Sequence, residues 1–415
     1  MELLLFCCFF IGAASLSINP ITILGKQFVD SVANEPFYIK GVDYQPGGSS
    51  RDFRSSDPLS DPSSCARDIR LLKSLGVNTI RVYSVNPDLN HDECMTMLAL
   101  SGIYLVLDIN SPIVGQSLNR YEPWTTYTPD YLYHIFKVVN QFSGYNNTLG
   151  YFIGNEVVND EISASVSPVY LRAVTRDVKE YIRVNSPRWL PVGYSAADDL
   201  KYRTELSQYL TCGDDRTAVD FYGVNTYQWC GEQTFQSSGF DKLVRDHHDL
   251  SVPLFFSEFD CNLVLPRQFQ EIEAIYSPLM IPTFSGGLVY EYTEEPNHYG
   301  LVRLDAVGNL QLLEDFHTLR NRYLSVSYRG KKLSTRVGFN STTSRPACLP
   351  EYSNLKPANP NLAKLPPSLA SIHIEKGIPL PKGRLLPDMS FPETPFTISD
   401  VDGTVLDPDN LFAKS

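Results

Sequence analysis

The chain has 415 residues, 43% of them apolar, so it can bury one barrel-sized core with extra segments or two smaller domains. Its formal net charge is -12 and it contains no long basic run, which argues against nucleic acid as a partner. The chain also contains 24 Tyr, 22 Phe and 3 Trp; most such side chains pack in cores, and others are platforms for sugar rings.

The first 17 residues have the layout of a secretory signal peptide. Leu3–Ile11 is a short apolar run, and Gly12–Ser15 supplies the small residues of a cleavage site. Glu2 stands where a basic residue is usual, and a buried N-terminal strand is the alternative. The apolar run is too short to span a bilayer comfortably. We therefore expect residues 1–17 to be removed from a secreted protein that has no transmembrane helix.

Cysteine usage after residue 17 indicates disulfide bonds. Once Cys7 and Cys8 leave with the signal, six cysteines remain: Cys65, Cys94, Cys212, Cys230, Cys261 and Cys348. An even number in a secreted chain favours disulfides, and no CxxC spacing suggests zinc, so we expect no metal. Many pairings of six cysteines are possible, and the spacings do not choose among them. Two sequons, at Asn146 and Asn340, are predicted glycosylation sites.

Eight short runs of apolar, β-branched or aromatic residues are bounded by turn residues, which is the pattern of strands. In chain order they are Phe37–Tyr44, Asn78–Tyr83, Tyr104–Ile109, Thr148–Glu156, Leu190–Ala196, Val219–Tyr227, Pro253–Phe259 and Gly286–Thr293. Most are almost continuously apolar, as expected of parallel strands that are buried on both faces.

Segments with helical periodicity lie between the strands, among them Cys65–Leu75, Tyr170–Arg183 and Phe240–Asp249. The first of these has Asp61 or Ser63 as a candidate cap and Gly76 as a stop signal. The alternation predicts an α/β fold, a (β/α)8 TIM barrel, over residues 18–348. A doubly wound open sheet is the alternative, but the turn after the first strand reads YQPGGSS and not GxGxxG.

The composition changes after Cys348. Residues 349–415 contain 11 of the 29 prolines, no cysteine and little periodicity. This segment is predicted to be a largely irregular, extended or disordered extension and not a second domain. The last seven residues, DNLFAKS, mix polar and apolar side chains, so the sequence offers no long hydrophobic tail of the kind that a GPI anchor needs.

Polar residues stand at the carboxyl ends of the predicted strands, where barrel enzymes carry their active sites. They are Asp43, Tyr44, Arg81, Tyr83, Asp108, Asn110, Asn155, Glu156, Tyr194, Asn225, Tyr227, Glu258, Tyr290 and Glu291. Packing alone does not explain polar residues at the tip of every apolar run. The pattern predicts a lined cleft.

Two of these residues, Glu156 and Glu258, end the fourth and seventh predicted strands. Glycoside chemistry needs two carboxyl groups, one that holds a proton and one that is charged. The two glutamates are 102 residues apart, about 34 for each of three β/α units, close to the roughly 31 of a typical barrel. The fourth and seventh strands face each other across the mouth, so both side chains can reach one substrate. The alternative is a pair of structural, salt-bridged carboxylates.

Several motifs together resemble the fungal β-1,3-glucanosyltransferases of glycoside hydrolase family 72. The most specific are YFIGNEVVND at Tyr151–Asp160 and SEFDC at Ser257–Cys261. Supporting matches are Ile39–Ser49, Gly76–Tyr83, Phe221–Cys230 and Gly287–Tyr292. The resemblance covers about residues 20–348, the whole predicted barrel.

The resemblance implies roles for individual residues. Glu156 would be the acid/base, Glu258 the nucleophile, and Asn155 would hold the 2-hydroxyl of the reacting sugar. Other implied substrate-binding residues are Tyr83, Tyr227 and Tyr290 on the donor side, Asp198 and Arg203 on the acceptor side, and Asn110 and Ser117 in a glucan-contacting loop at Asn110–Leu118. The implied disulfides are Cys65–Cys94, Cys212–Cys348 and Cys230–Cys261.

The implied activity is that of a retaining transferase that cuts an internal β-1,3-glucan linkage and joins the new reducing end to another glucan chain. The expected partners are donor and acceptor glucans, with no cofactor, and the expected state is a monomer at the cell wall or outer cell surface. Two alternatives are an endo-β-1,3-glucanase and a wall protein that binds glucan without turnover. Many relatives carry a cysteine-rich module or a GPI anchor, and this sequence shows neither.

Overall fold

The computed structural model describes residues 18–48, 56–326, 345–355 and 369–407. The predicted signal peptide and the sequon at Asn340 lie outside these ranges. The sequon at Asn146 lies within them, in an exposed turn that a glycan can reach. Within the described ranges, no helix is both long enough and apolar enough to cross a bilayer.

Eight parallel strands close into a barrel, which confirms the predicted fold. The strands are β4 (Ile39–Asp43), β5 (Thr79–Val82), β6 (Tyr104–Asp108), β7 (Thr148–Asn155), β8 (Val192–Ala197), β9 (Phe221–Thr226), β10 (Leu254–Phe259) and β11 (Phe284–Val289). β11 pairs with β4 and thereby closes the ring. Because β7 and β10 are three strands apart in an eight-stranded ring, their carboxyl ends face each other across the barrel mouth.

The helices surround this barrel. They are α1 (Pro62–Leu75), α2 (Asp92–Leu100), α3 (Pro123–Thr126), α4 (Pro129–Phe142), α5 (Glu161–Val166), α6 (Pro168–Asn185), α7 (Arg203–Thr211), α8 (Phe240–His247), α9 (Glu271–Ile275), α10 (Glu314–Ser325) and α11 (Leu369–Lys376). α1 shows why they form where they do. The Asp61 carboxylate caps the Ser63 N–H at 3.0 Å, and Gly76 ends the helix in the left-handed region at φ 75°.

A three-stranded antiparallel sheet covers the amino ends of the barrel strands. It consists of β1 (Ile21–Leu24), β2 (Gln27–Asp30) and β3 (Pro36–Phe37). The Phe28 ring of β2 lies 5.9 Å from the ring of Phe221 and 5.8 Å from that of Phe255, which are near the starts of β9 and β10. The predicted run Phe37–Tyr44 therefore divides into β3 and β4, and the lower barrel is sealed with aromatic rings.

The described residues of the C-terminal extension, 349–355 and 369–407, pack on the barrel. Most of its described residues lie outside helices and strands, but α11 packs on α6 and α4. A second sheet contains β12 (Val302–Leu304), β13 (Leu310–Leu312), β14 (Ile398–Ser399) and β15 (Val405–Leu406). The backbone N–H of Arg384 donates to Asp92 Oδ1 at 2.9 Å, and Asn140 Nδ2 donates to the Leu380 carbonyl at 3.0 Å. Proline-rich backbone is held here by hydrogen bonds to barrel helices.

The three implied disulfides are all present. Cys65–Cys94 joins α1 to α2, and Cys230–Cys261 joins the loops that follow β9 and β10. Cys212–Cys348 ties the end of α7 to the start of the C-terminal extension across 136 residues. Cys261 follows the predicted nucleophile Glu258 by three residues, so the Cys230–Cys261 bridge constrains the loop after it.

Candidate active site

Both glutamates line a single cavity of about 710 Å³ at the carboxyl ends of the barrel strands. Glu258 lies near the end of β10, and Glu156 follows β7 directly. The other lining residues are Tyr83, Asp108, Asn110, Pro112, Ser117, Leu118, Asn119, Arg120, Tyr121, Asn155, Val157, Tyr227 and Tyr290. The expectation that the two carboxylates face one groove is therefore confirmed.

Glu258 accepts hydrogen bonds on both carboxylate oxygens. Arg81 Nη1 and the Tyr83 hydroxyl donate to Oε1 at 3.0 Å and 2.8 Å, and the Tyr227 hydroxyl donates to Oε2 at 2.6 Å. The residue is only 6% exposed, so these donors replace most of its hydration. Because all three groups donate, they fit a charged carboxylate, which is the form that attacks carbon.

Arg81 is the cation that organises the upper barrel. It is fully buried and binds Asp108 through two hydrogen bonds, Nε to Oδ1 at 2.9 Å and Nη2 to Oδ2 at 2.8 Å. The same guanidinium donates to Glu258 and, at 3.0 Å, to Asn155 Oδ1. One rigid side chain of β5 thus sets the positions of groups on β6, β7 and β10.

Glu156 has a different environment from Glu258. Its backbone lies in the left-handed region at φ 49°, and its N–H donates to the Ser195 carbonyl at 2.9 Å. Its Oε1 accepts from Asn225 Nδ2 at 2.9 Å. Burial, followed by the nearby negative charge of Glu258, raises the pKa of Glu156, although the Asn225 hydrogen bond opposes this. A carboxyl group that keeps its proton is suited to general acid catalysis.

Asn155 lies between the two glutamates, and its amide orientation is fixed by three donors. Its Oδ1 accepts from Arg81 Nη2 and Asn225 Nδ2, both at 3.0 Å, and from Ser195 Oγ at 2.8 Å. With the carbonyl oxygen bound by the protein, the amide nitrogen is the end available to the cavity. A donor at this position suits a sugar hydroxyl.

Tyrosine rings form one wall of the cavity. Tyr290 makes edge-to-face contacts with Tyr83 and Tyr227, with ring centroids 6.5 Å and 6.2 Å apart. Tyr299 supports this wall from behind, 5.3 Å from Tyr290 and 5.6 Å from Tyr227. The sequence analysis missed Tyr299, which lies in a polar loop after the last barrel strand and carries no strand signal.

The loop after β6 lines the cavity, as expected. The side chain of Asn110 holds the two ends of this loop together. Asn110 Oδ1 accepts from the Leu118 N–H at 3.0 Å and from the Tyr131 hydroxyl at 2.7 Å. The lining continues past the predicted segment through Asn119, Arg120 and Tyr121. The sequence analysis missed these three residues because they follow no strand directly and show no periodic pattern.

Asp198 and Arg203 do not line this cavity. Arg203 Nε donates to Asp198 Oδ1 at 2.6 Å, and its Nη1 is 3.1 Å from Asp246 Oδ2. Thr226 Oγ1 donates to the other Asp198 oxygen at 2.9 Å. Both side chains are nearly buried in this cluster, so their acceptor-side role stays a prediction.

Six of the polar residues at the strand ends also lie outside the cavity lining: Arg81 and Asn225, which bond to the predicted catalytic glutamates, and four that do not. Tyr44 and Tyr194 are buried, and their hydroxyls bond to Asp68 and to the Val158 N–H. Asp43 and Glu291 are buried as well, and burial is the main reason that both have raised pKa values. The strand-end pattern therefore identified the correct end of the barrel but not which side chains reach the cavity.

Across residues 18–48, 56–326, 345–355 and 369–407, no group of three or more His, Cys, Asp or Glu side chains has a metal-binding arrangement.

A glucanosyltransferase family model, glycoside hydrolase family 72, matches residues 11–327. The 1,3-beta-glucanosyltransferase GAS4 of Saccharomyces cerevisiae is 54% identical over 374 residues, which are 89% of this chain and 78% of the relative. The 1,3-beta-glucanosyltransferase gel2 of Aspergillus fumigatus is 43% identical over 374 residues, which are 89% of this chain and 77% of the relative.

A solved structure of a relative shows the same similarity at the level of the fold. Saccharomyces cerevisiae Gas2p in complex with laminaritriose and laminaritetraose superposes with a TM-score of 0.75 at 38% identity, covering 84% of this chain and 77% of that chain. The barrel, the paired glutamates and these matches agree, and the chain belongs to the glucanosyltransferases of glycoside hydrolase family 72.

Proposed function

We propose that this protein is a retaining β-1,3-glucanosyltransferase with Glu258 as nucleophile and Glu156 as acid/base. The observation that carries the proposal is the contrast between the two carboxyl groups of one cavity. Three donors hold Glu258 in a form suited to attack, whereas burial and the charge of Glu258 favour the protonated form of Glu156.

In the first step, Glu258 Oε attacks the anomeric carbon of an internal glucose unit. The bond between that carbon and the bridging oxygen breaks, and Glu156 gives its proton to the departing oxygen. The new reducing end stays on Glu258 as a glycosyl ester. Asn155 is placed to hold a sugar hydroxyl, and Tyr83, Tyr227 and Tyr290 are placed to contact the donor chain.

In the second step, a hydroxyl of another glucan chain attacks the anomeric carbon of the glycosyl ester, the bond from that carbon to the Glu258 oxygen breaks, and Glu156 accepts the hydroxyl proton. Esterification neutralises Glu258, so the like charge that raised the pKa of Glu156 is gone. The pKa of Glu156 therefore falls when the reaction needs a base. Two displacements at the same carbon retain its configuration, and Glu258 is released as a carboxylate.

Glucan transfer is supported over simple hydrolysis by the family. Relatives that match most of this chain are 1,3-beta-glucanosyltransferases, and the Gas2p structure contains laminari-oligosaccharides, which are chains of β-1,3-linked glucose. An endo-β-1,3-glucanase would share the first step but pass the glycosyl group to water. The two activities therefore differ in which acceptor, a glucan hydroxyl or water, reaches the glycosyl ester.

Product analysis on a reduced laminari-oligosaccharide tests the function directly. We expect products both shorter and longer than the starting chain, with the new linkage in the β configuration. Shorter products alone would indicate the hydrolase. Binding without any product would indicate a wall protein that holds glucan without turnover.

We also propose that the protein acts outside the cell as a monomer after residues 1–17 are removed, with residues 18–348 as the catalytic domain. The supporting features are the apolar leader, the three disulfides and the exposed Asn146 sequon. Mass spectrometry of the secreted protein would give its N-terminus and show whether Asn146 and Asn340 carry glycans. Detection of an intact leader in the secreted protein would contradict the cleavage.

A further inference from the structure

Exposed aromatic rings are rare in the described part of the chain, and two of them lie close together. Tyr121 is 46% exposed and Trp124 is 53% exposed, and they are three residues apart in the loop after β6. The third exposed aromatic side chain among the described residues is Trp189, at 48%.

The turn that carries Tyr121 and Trp124 is held by its own hydrogen bonds. The Asn119 N–H donates to Thr126 Oγ1 at 2.8 Å, and Asn119 Oδ1 accepts from the Tyr121 N–H at 3.0 Å. On either side of Trp124, Pro123 and Tyr127 are buried. The exposed indole therefore lies on an anchored turn, and little side-chain or backbone freedom would be lost on binding.

The same turn is fastened to the segment that follows Glu156. Ser167 Oγ donates to the Arg120 carbonyl at 2.6 Å. The Tyr121 hydroxyl forms a hydrogen bond with the Asp160 carboxylate, which caps α5. These bonds place the turn beside the loop of the acid/base residue and fix it there.

The turn is also continuous with the catalytic cavity. Asn119, Arg120 and Tyr121 line that cavity together with both glutamates, and the exposed Trp124 follows Tyr121 by three residues, in α3. A polymer that leaves the cavity along this loop would next meet the indole ring. The flat apolar face of glucose stacks on such a ring, and its hydroxyls remain in water.

We propose that Trp124, next to the cavity-lining Tyr121, forms an outer subsite that binds a glucose unit of the glucan chain beyond the catalytic cavity. This inference rests on the proposed function and adds a determinant of chain length to it. Short substrates end before Trp124, and long substrates reach it. The enzyme thereby favours long glucan chains.

The test compares Trp124→Ala with Trp189→Ala. The two indoles are about equally exposed, but Trp189 precedes β8 and lies at the opposite end of the barrel. For Trp124→Ala we expect the ratio of kcat/KM on long to kcat/KM on short laminari-oligosaccharides to fall about three- to tenfold, mainly through KM. Trp189→Ala should keep the wild-type ratio, and Trp124→Phe should restore most of it.

Equal ratios in the two alanine variants, or a loss in Trp124→Ala that is the same at every chain length, would overturn the subsite. A binding measurement tests the subsite independently of the catalytic activity. Calorimetry of a long laminari-oligosaccharide with Glu258→Gln should show weaker binding once Trp124→Ala is added, and equal binding would reject the inference. If wild-type protein neither cleaves nor extends these sugars, the proposed function fails, and the calorimetric result still decides the subsite.

Discussion

The lower and upper halves of the barrel interior are built from the same strands but have opposite chemistry. Below, Phe152, Phe221 and Phe255 pack with centroids 5.2 Å to 5.9 Å apart, and Phe28 covers them. Above, buried polar groups are linked by hydrogen bonds around Arg81. In β10, Phe255 and Glu258 are only three residues apart, roughly 10 Å along a strand.

This contrast shows how one fold can separate stability from function. The aromatic half gains free energy from burial and needs no orientation by charges. The polar half holds its charged groups in place by hydrogen bonds, because an unpaired buried charge would be costly. Changes below should therefore affect unfolding, and changes above should affect turnover.

The largest effect is expected for Glu258→Gln. Loss of the nucleophile should lower kcat by about 10⁴-fold or more, since no glycosyl ester can form. Thermal unfolding should change little, because glutamine still accepts hydrogen bonds. Glu161→Gln, an exposed change near Glu156, is the control and should keep wild-type activity. Substantial turnover by Glu258→Gln would contradict the assignment of catalysis to the upper half of the barrel interior.

Glu156→Gln should be the next most severe, with kcat on natural glucan lowered by about 10²- to 10⁴-fold. Because the variant cannot protonate a departing oxygen, a donor with an activated leaving group should recover ester formation. Rapid-quench measurement of the first step on both donors checks this. Equal loss on both donors would show that Glu156 is not the acid.

Phe255→Ala tests the lower half. Removing a fully buried ring should destabilise the protein by about 3 to 5 kcal/mol, seen as a lower urea midpoint, because a cavity replaces aromatic contacts. The folded fraction should keep a kcat close to wild type. Phe255→Leu should lose less stability. A large fall in kcat with unchanged stability would contradict the division between the two halves.

Tyr227→Phe removes one donor from Glu258 without changing the ring. A hydrogen bond to a charged group contributes about 1.5 to 3 kcal/mol, so kcat/KM should fall by roughly one to two orders of magnitude. The midpoint of thermal unfolding should be nearly unchanged. Comparison with Tyr133→Phe, a change on α4 outside the cavity lining, separates the loss of this donor from a general effect of the substitution.

The smallest expected effect is a change in the pH dependence of activity. Activity should fall on the alkaline side as Glu156 loses its proton, and that limb should lie above the ordinary glutamate range because burial and the charge of Glu258 raise its pKa. In Glu258→Gln the like charge is absent, so the pKa of Glu156 should be lower than in wild type. Carboxyl NMR titration of wild type and Glu258→Gln measures the pKa of Glu156. An unchanged pKa would show that the charge of Glu258 does not act on Glu156.

Much of the fold followed from local sequence. Parallel strands buried on both faces are apolar throughout, so all eight were recognisable, and Asp61 and Gly76 marked the ends of a helix. The N-terminal sheet was missed because its strands are short and form through pairing with one another. The contacts of the described part of the C-terminal extension could not be predicted, because they are hydrogen bonds to barrel helices, which its composition does not encode.

The sequence by itself determined that Glu156 and Glu258 end two apolar strands whose carboxyl ends face each other, and the family motifs supplied the disulfide pairing. Only the tertiary structure decided that Arg81, Asn225 and Tyr227 are their partners, that Asp198 and Arg203 bind each other beside the cavity, and that the turn at Trp124 adjoins it. The physical reason is distance along the chain. The burial of a strand can be predicted from the apolar residues that adjoin one another within it. The partners of a buried charge come from other strands, which only barrel closure brings within hydrogen-bond range.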